Sequence, residues 1–182
     1  EVSFGNDGNI SKERLEDCIN SDLANNYGNL CQRTVSFAVK NCDQKIPEKI
    51  KFEKDDLDFL NEFSSNIDEI RLKLDNQNIN FYIDFIVDKL FAANKYFNDQ
   101  EPWKKKDDQI RLNTIVYTTL EIIRKISFML YPIIPDTSLK ALKIFDIKEK
   151  EIIFSSISKH DVLKMGAKIN SIDILFKKID KK

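Results

Sequence analysis

The chain of 182 residues is long enough for one domain, and its hydrophobic residues, 42% of the total, suffice for a core that excludes water. Its 29 Lys and Arg residues nearly balance its 30 Asp and Glu residues, and the net charge of -1 excludes the overall basic character of many nucleic-acid-binding proteins. Any site for a polyanion must therefore be local.

The cysteines and the hydropathy pattern indicate a reducing, cytoplasmic compartment. Cys18, Cys31 and Cys42 are odd in number and far apart, without the C-x2-C pair typical of zinc sites and redox motifs. No apolar run approaches the roughly 20 residues of a membrane-spanning helix, and residues 1–9 lack the basic and apolar regions of a signal peptide. We therefore expect no metal site and no membrane association.

Apolar residues recur at helical spacing through most of the chain, after a turn-forming stretch over residues 1–10. The pattern predicts four or five amphipathic helices. The first, or a kinked pair, runs from an N-cap at Ser11 to about Asn41, the second is capped by Asp55 or Asp56 and ends near Asn76, and the third runs from about Asn80 to just before Pro102. The fourth, which is the most apolar, runs from Leu112 to Leu130, and the fifth, capped by Asp136 or Thr137, continues through Phe145.

Amphipathic helices with short connections predict an all-α, up-and-down helix bundle with the fourth helix at its centre. Beyond Ile147 the helical pattern weakens. Two apolar stretches there, residues 166–169 and 172–176, predict an extended C-terminal tail that packs against the bundle or another domain. The expected organisation is an entry segment over residues 1–10, a bundle over 11–147 and a tail over 148–182.

The sequence argues against a catalytic site. His160 is the only histidine, which excludes a multi-histidine metal site, and we expect it at the surface. Neither of the glycine-rich loops that bind nucleotide phosphates is present. The many carboxylates fit a solvated helix surface. We expect no catalytic residue in this chain.

Two side chains of the first helix are candidates for base recognition. Asn29 and Arg33 are four positions apart and so lie on one face, with Asn26 near the same stripe. An amide and a guanidinium can form hydrogen bonds to base edges, and the guanidinium plane can stack on a base. A solvent-facing polar stripe explains the pattern as well. Gly28, next to Asn29, lowers the stability of the helix, which indicates that another group approaches the backbone closely there. Packing against another helix would be a sufficient reason.

The only tryptophan, Trp103, follows Pro102 and precedes Lys104, Lys105 and Lys106. An indole on a stiff loop beside cations can stack on an unpaired base while the lysines attract phosphates. The alternative is a tryptophan that folds back onto the bundle as a lid.

These residues resemble those of a known family, the anticodon-binding domain of methionyl-tRNA synthetases, which are class I aminoacyl-tRNA synthetases. The stretch Asp22-Leu23-Ala24-Asn25-Asn26-Tyr27-Gly28-Asn29-Leu30-Cys31-Gln32-Arg33 is similar to the family's first bundle helix. Asn94-Lys95-Tyr96 with Glu101-Pro102-Trp103 is similar to its second signature. The opening residues 2–11 and the tail residues 166–179 resemble its entry and closing segments.

The resemblance implies a helix bundle of the class I synthetase anticodon-binding type that recognises the CAU anticodon. Trp103 would stack on an anticodon base, Asn29 and Arg33 would contact bases, and Lys104, Lys105 and Lys106 are possible phosphate contacts. Methionine, ATP and zinc would belong to an upstream catalytic region, so this chain would be inactive alone and residues 1–10 would connect it to that region. The expected partners are initiator and elongator methionine tRNA, and we expect a monomer.

Three alternatives remain at this point. The nearest is the anticodon-binding domain of another class I synthetase, which Asn29, Arg33 and Pro102-Trp103 disfavour. A helical scaffold that binds another protein through Trp103 is the second. A small hydrolase, the third, lacks a convincing nucleophile and base. The resemblance also predicts that the partly exposed Trp103 ring lies near Asn29 and Arg33.

Overall fold

The computed structural model describes residue 8 and residues 11–49 and 51–180. The predicted connector over residues 1–10 therefore lies, except for Gly8, outside the described residues. Within them seven α-helices follow one another: α1 (Lys12–Cys18), α2 (Asn29–Asn41), α3 (Lys54–Ser65), α4 (Ile67–Asp75), α5 (Ile79–Gln100), α6 (Gln109–Leu130) and α7 (Pro135–Leu142). The described part contains no β-strand, and the prediction of an all-α bundle is confirmed.

The first predicted helix is a continuous rod of three segments. Ser11 caps α1 through its hydroxyl, which accepts a hydrogen bond from the Arg14 amide at 3.2 Å. A π-helical segment, Ile19–Gly28, then joins α1 to α2 with helical dihedral angles at both junctions. Wide π-type turns are uncommon and occur often at functional sites. The candidate residues Asn29 and Arg33 follow directly after this segment.

The second predicted helix is two helices that meet at Asn66. Its N-cap is Glu53, whereas Asp56, one of the two predicted caps, is the third residue inside α3. Glu53 and Asp56 form a reciprocal capping box, in which the Glu53 amide donates to the Asp56 carboxylate at 2.8 Å. The predicted cap of the fifth helix was also misplaced, because α7 begins at Pro135, whose fixed φ suits a first helical turn.

Helix α6 forms the centre of the bundle, as predicted. Nearly all its side chains from Arg111 to Leu130 are buried, and it packs against α2, α3, α5 and α7. No helix among the described residues is long and apolar enough to cross a membrane.

The C-terminal tail packs back onto the bundle along its length. The backbone of Lys45 bridges that of Lys168, and Asn20 exchanges two hydrogen bonds with the backbone of Ile179, at 2.8 and 2.9 Å. Phe176 lies against Gly28, where an added Cβ would come within 3.7 Å of its ring and 3.3 Å of the Leu23 carbonyl oxygen. The glycine therefore accommodates both the π-helical backbone and the tail.

Three charged side chains buried on α6 hold the earlier part of the tail. Glu121 pairs with Arg124 at 2.5 Å and accepts backbone hydrogen bonds from Val162 and Leu163. The ammonium of Lys125 donates to the carbonyl groups of Ile157 and Lys159, the latter at 2.5 Å. The tail thus supplies partners that charges in a protein interior require.

His160 belongs to the same cluster and lies at the surface only in part. The half-buried ring lies 3.4 Å from the Lys125 ammonium and 3.0 Å from the Asn61 amide oxygen. Burial, followed by the nearby Lys125 charge, lowers the pKa of His160. Its neighbours are tail and bundle residues, which indicates a structural role.

Candidate functional site

Trp103 lies on a short, well-braced turn between α5 and α6. Helix α5 ends at Glu101, which adopts a left-handed conformation with φ of 44°, uncommon for a residue other than glycine. A 3-10 turn over Pro102–Lys104 follows, closed by a hydrogen bond from the Lys104 amide to the Glu101 carbonyl at 2.9 Å. Pro102 itself is buried. The indole is therefore attached to a restrained backbone.

A buried ion pair supports this turn from behind. The Arg111 guanidinium binds the Asp56 carboxylate through two nitrogens, at 2.6 and 3.0 Å, and donates to the Gln100 side chain at 2.7 Å. The Tyr96 hydroxyl donates to the same carboxylate, and burial together with Asp56 raises the pKa of Tyr96. This network joins α3, the end of α5 and the start of α6, the two helices that the Trp103 turn connects.

The Trp103 ring shares a shallow pocket of about 300 Å³ with Arg33; the other lining residues are Ser36, Phe37, Lys40 and Phe97. The indole packs edge-on against Phe97 with ring centroids 6.1 Å apart, while 39% of the residue stays exposed. Arg33 lies over the same phenylalanine ring, with its guanidinium carbon 5.8 Å from the centroid. Phe97 thus separates an exposed indole from a guanidinium, and both can contact one ligand.

A second residue of α5, Asn98, fixes the direction of the Arg33 side chain. Its amide oxygen accepts a hydrogen bond from the Arg33 Nη2 atom at 2.8 Å. Because the partner is a neutral amide, the guanidinium keeps its positive charge uncompensated at this contact. An uncompensated guanidinium beside an exposed aromatic ring suits a planar, electron-rich ligand such as a nucleobase.

Asn29 lies one helical turn before Arg33 on the same helix face and is half-buried. It does not line the pocket that Arg33 and Trp103 share. The structure therefore brings two of the three predicted residues together and places the third beside them.

Asn26, which helical spacing placed near the stripe of Asn29 and Arg33, is 3% exposed and points inward. Its amide oxygen accepts a hydrogen bond from Asn94 at 2.6 Å, which ties the π-helical segment to α5. The wide π-type turns change the angular spacing of side chains, so a stripe extrapolated from α-helical geometry fails there.

The three lysines after Trp103 have different environments. Lys104 forms an ion pair with Glu101 at 2.8 Å, Lys105 is half-buried, and Lys106 is exposed. The Lys104 pair is largely exposed, and such pairs contribute little stability, so a phosphate can replace the carboxylate. Lys40 adds a further cation at the rim of the pocket.

Sequence analysis missed Phe97 and Asn98 as parts of this site. Helical spacing assigned Phe97 to the core, where it is indeed buried, but not to the floor of a pocket. The available signal was their position directly after Asn94-Lys95-Tyr96, since that signature and Pro102-Trp103 enclose them.

Comparison with known proteins adds a family assignment to this geometry. The family described as the anticodon binding domain of methionyl tRNA ligase matches residues 46–182. Methionine--tRNA ligase of Thermotoga maritima is 34% identical over 184 aligned residues, which cover 100% of this chain and 29% of that protein. The Brucella suis protein of the same name is 35% identical over 158 residues, covering 86% of this chain and 31% of the relative.

A solved structure gives the same result in three dimensions. The apo form of methionyl-tRNA synthetase from Mycobacterium tuberculosis superposes with a TM-score of 0.92 at 30% identity, covering 100% of this chain and 37% of that one. The chain thus spans about a third of the length of the relatives that it matches.

Proposed function

Because the chain belongs to the methionyl-tRNA ligase family, as its anticodon-binding domain, we propose that the Arg33–Trp103 pocket recognises the CAU anticodon of methionine tRNA. The observation that carries the proposal is the pairing of an exposed indole with an oriented guanidinium over Phe97. An unpaired base stacks on Trp103, and Arg33 donates hydrogen bonds to a neighbouring base edge. Asn29 extends the polar surface by one helical turn.

The charges around the pocket are suited to positioning the RNA backbone. Lys40 lines the pocket beside Trp103, and Lys104, Lys105 and Lys106 follow the indole directly in the chain. In our proposal Lys104, Lys105 and Lys106 contact phosphates, which position the loop, while Arg33, Asn29 and Trp103 distinguish the bases.

The proposal extends to the protein that carries this domain. We infer that it ligates methionine to initiator and elongator tRNA with ATP, and that methionine, ATP and any zinc bind to a catalytic region outside these 182 residues. We further propose a cytoplasmic, monomeric protein.

The test uses Trp103 as an intrinsic probe, because it is the only tryptophan. A CAU stem-loop RNA is expected to quench its fluorescence, since a base stacked on the indole changes its surroundings. A stem-loop with a scrambled triplet is the control. Unchanged emission with CAU, at concentrations that saturate a full-length ligase, would contradict the stacking role; equal binding of both loops would favour a scaffold function instead.

A further inference from the structure

Phe91 is an aromatic side chain of α5 that is exposed outside the pocket described above. It is 57% exposed, more than Trp103, and its ring pairs with no other aromatic ring among the described residues. Single exposed aliphatic residues are ordinary on protein surfaces. An exposed phenyl ring on a helix that also supplies Phe97 and Asn98 to the pocket calls for a more specific explanation.

The helix places Phe91 on the edge of α5 that borders the first helix. Phe91, Asn94 and Asn98 are three and seven positions apart and so lie on one face. Asn94 hydrogen-bonds Asn26 of the π-helical segment, and Asn98 hydrogen-bonds Arg33 of α2. Phe91 therefore continues the row that leads away from the Arg33–Trp103 pocket, about 10 Å along the axis from Asn98.

The charged residues on either side of Phe91 limit the part of α5 that can bind RNA. Lys95, one turn beyond Phe91, is 76% exposed and forms an ion pair with the exposed Asp99, which contributes little stability. On the other side of Phe91 the exposed charged residues of α5 are both acidic, Asp84 and Asp88. Phe91 is thus the last side chain of the row before a surface that repels phosphates.

We propose that Phe91 is a second base-stacking surface, which binds an unpaired anticodon-loop nucleotide outside the CAU triplet. The inference rests on the proposed function, because it requires the triplet to occupy the Arg33–Trp103 pocket. The ring face stacks on the base without regard to its identity, and Lys95 attracts the adjoining phosphate. Phe91 lies about 10 Å along the helix axis from Asn98, outside the Arg33–Trp103 pocket, and this separation assigns it a loop nucleotide other than those of the triplet.

The first test measures the affinity of the 182-residue chain for a CAU stem-loop. Phe91→Ala is expected to weaken binding at least about fivefold, since it removes a base–aromatic stack, whereas Phe91→Tyr retains the ring and the affinity. Ile83→Ala removes another exposed apolar side chain of the same helix and is expected to leave the affinity unchanged. Both positions are at the surface, and circular dichroism verifies the fold of each of the three variants.

The second test locates the nucleotide. Each loop base outside the triplet is removed in turn by an abasic substitution, and each RNA is titrated against wild type and Phe91→Ala. At one position the abasic RNA should bind wild type more weakly while binding Phe91→Ala with no further loss. Wild-type affinity in Phe91→Ala, or additive losses at every position, would overturn the inference. Failure of wild type itself to prefer CAU would instead contradict the proposed function.

Discussion

Arg33 owes its suitability for base recognition to a neutral neighbour. Had a carboxylate occupied the position of Asn98, an ion pair would neutralise the guanidinium. The Asn98 amide instead orients the group at 2.8 Å and leaves its charge available. The Phe97 ring beneath the guanidinium supports it through a cation–π contact, with the guanidinium carbon 5.8 Å from the ring centroid.

Replacement of Arg33 by alanine is therefore expected to weaken CAU stem-loop binding by about 1–3 kcal/mol, the range for loss of a good base contact. The loss should be smaller for a scrambled loop, because base discrimination disappears with the guanidinium. Arg71→Ala, which removes an exposed arginine from α4, is the matched control and should bind like wild type. Calorimetric titration measures all three proteins; equal losses for both RNAs would contradict base recognition by Arg33.

At the residue scale, sequence analysis could find side chains whose chemistry is conspicuous. Arg33 and Trp103 were predicted, and the structure brings them to one pocket, although their contact with RNA stays a prediction. Asn98 follows the signature Asn94-Lys95-Tyr96, but its contact with Arg33 depends on the relative rotation of α2 and α5, which only packing determines. Asn26 points inward for a different reason, since a π-helical turn reorients it.

At the scale of elements, a buried lysine of α6 is one of the residues that hold the tail. Lys125 donates to the carbonyl groups of Ile157 and Lys159, beside His160 of the tail. Burial, followed by the adjacent Arg124 charge, lowers the pKa of Lys125 from its ordinary value of 10.5 to about 7, and Glu121 opposes the shift. The tail further contributes Asp161, whose carboxylate pairs with Lys49 at 3.2 Å.

The lowered pKa predicts how stability changes with pH. Between pH 7 and 10.5 the unfolded chain holds a proton on Lys125 that the folded chain has released, so the free energy of unfolding rises with pH, by at most about 1.4 kcal/mol per unit. Below pH 7 both states hold the proton and the contribution is constant. Lys125→Met is expected to flatten the rise between pH 7 and 8.5, measured by urea denaturation.

The pH range and a control variant separate the effect of Lys125 from that of other titrating groups. Above about pH 8.5 the thiol groups act in the opposite direction, because burial raises the pKa of Cys31, and raises that of Cys42 to about 11. Lys140→Met removes an exposed lysine of α7 and should keep the wild-type slope. A wild-type slope in Lys125→Met as well would exclude Lys125 as its source.

The elements themselves were largely predictable from periodicity, and their ends less so. The spans of α5 and α6 followed from the regular spacing of apolar residues on either side of the polar loop that contains Pro102. The break at Asn66 was not visible, since apolar residues keep helical spacing across it and the division is made by packing of α4 on α5. The tail's attachment through Glu121, Arg124 and Lys125 was hidden because charged residues in a sequence predict exposure.

At the scale of the whole molecule, a net charge of -1 requires any attraction to RNA to be local. The Arg33–Trp103 pocket adjoins the start of α6, whereas Lys148 and Lys150 flank Glu149, whose carboxylate accepts a hydrogen bond from Tyr131 just past the other end of that helix. A helix of 22 residues is about 33 Å long, several times the Debye length at physiological salt. The two lysine groups therefore act independently on a short RNA loop.

This separation predicts a local salt dependence. Each phosphate contact to single-stranded RNA adds about -0.7 to the slope of log affinity against log salt concentration, so three lysine contacts contribute about -2. The triple variant Lys104→Ala, Lys105→Ala, Lys106→Ala should lose up to that amount of slope while retaining its preference for CAU over a scrambled loop. The double variant Lys148→Ala, Lys150→Ala removes charge near the other end of α6 and should keep the wild-type slope. A loss of slope in this double variant would mean that overall charge, and not the Trp103 turn, attracts the RNA.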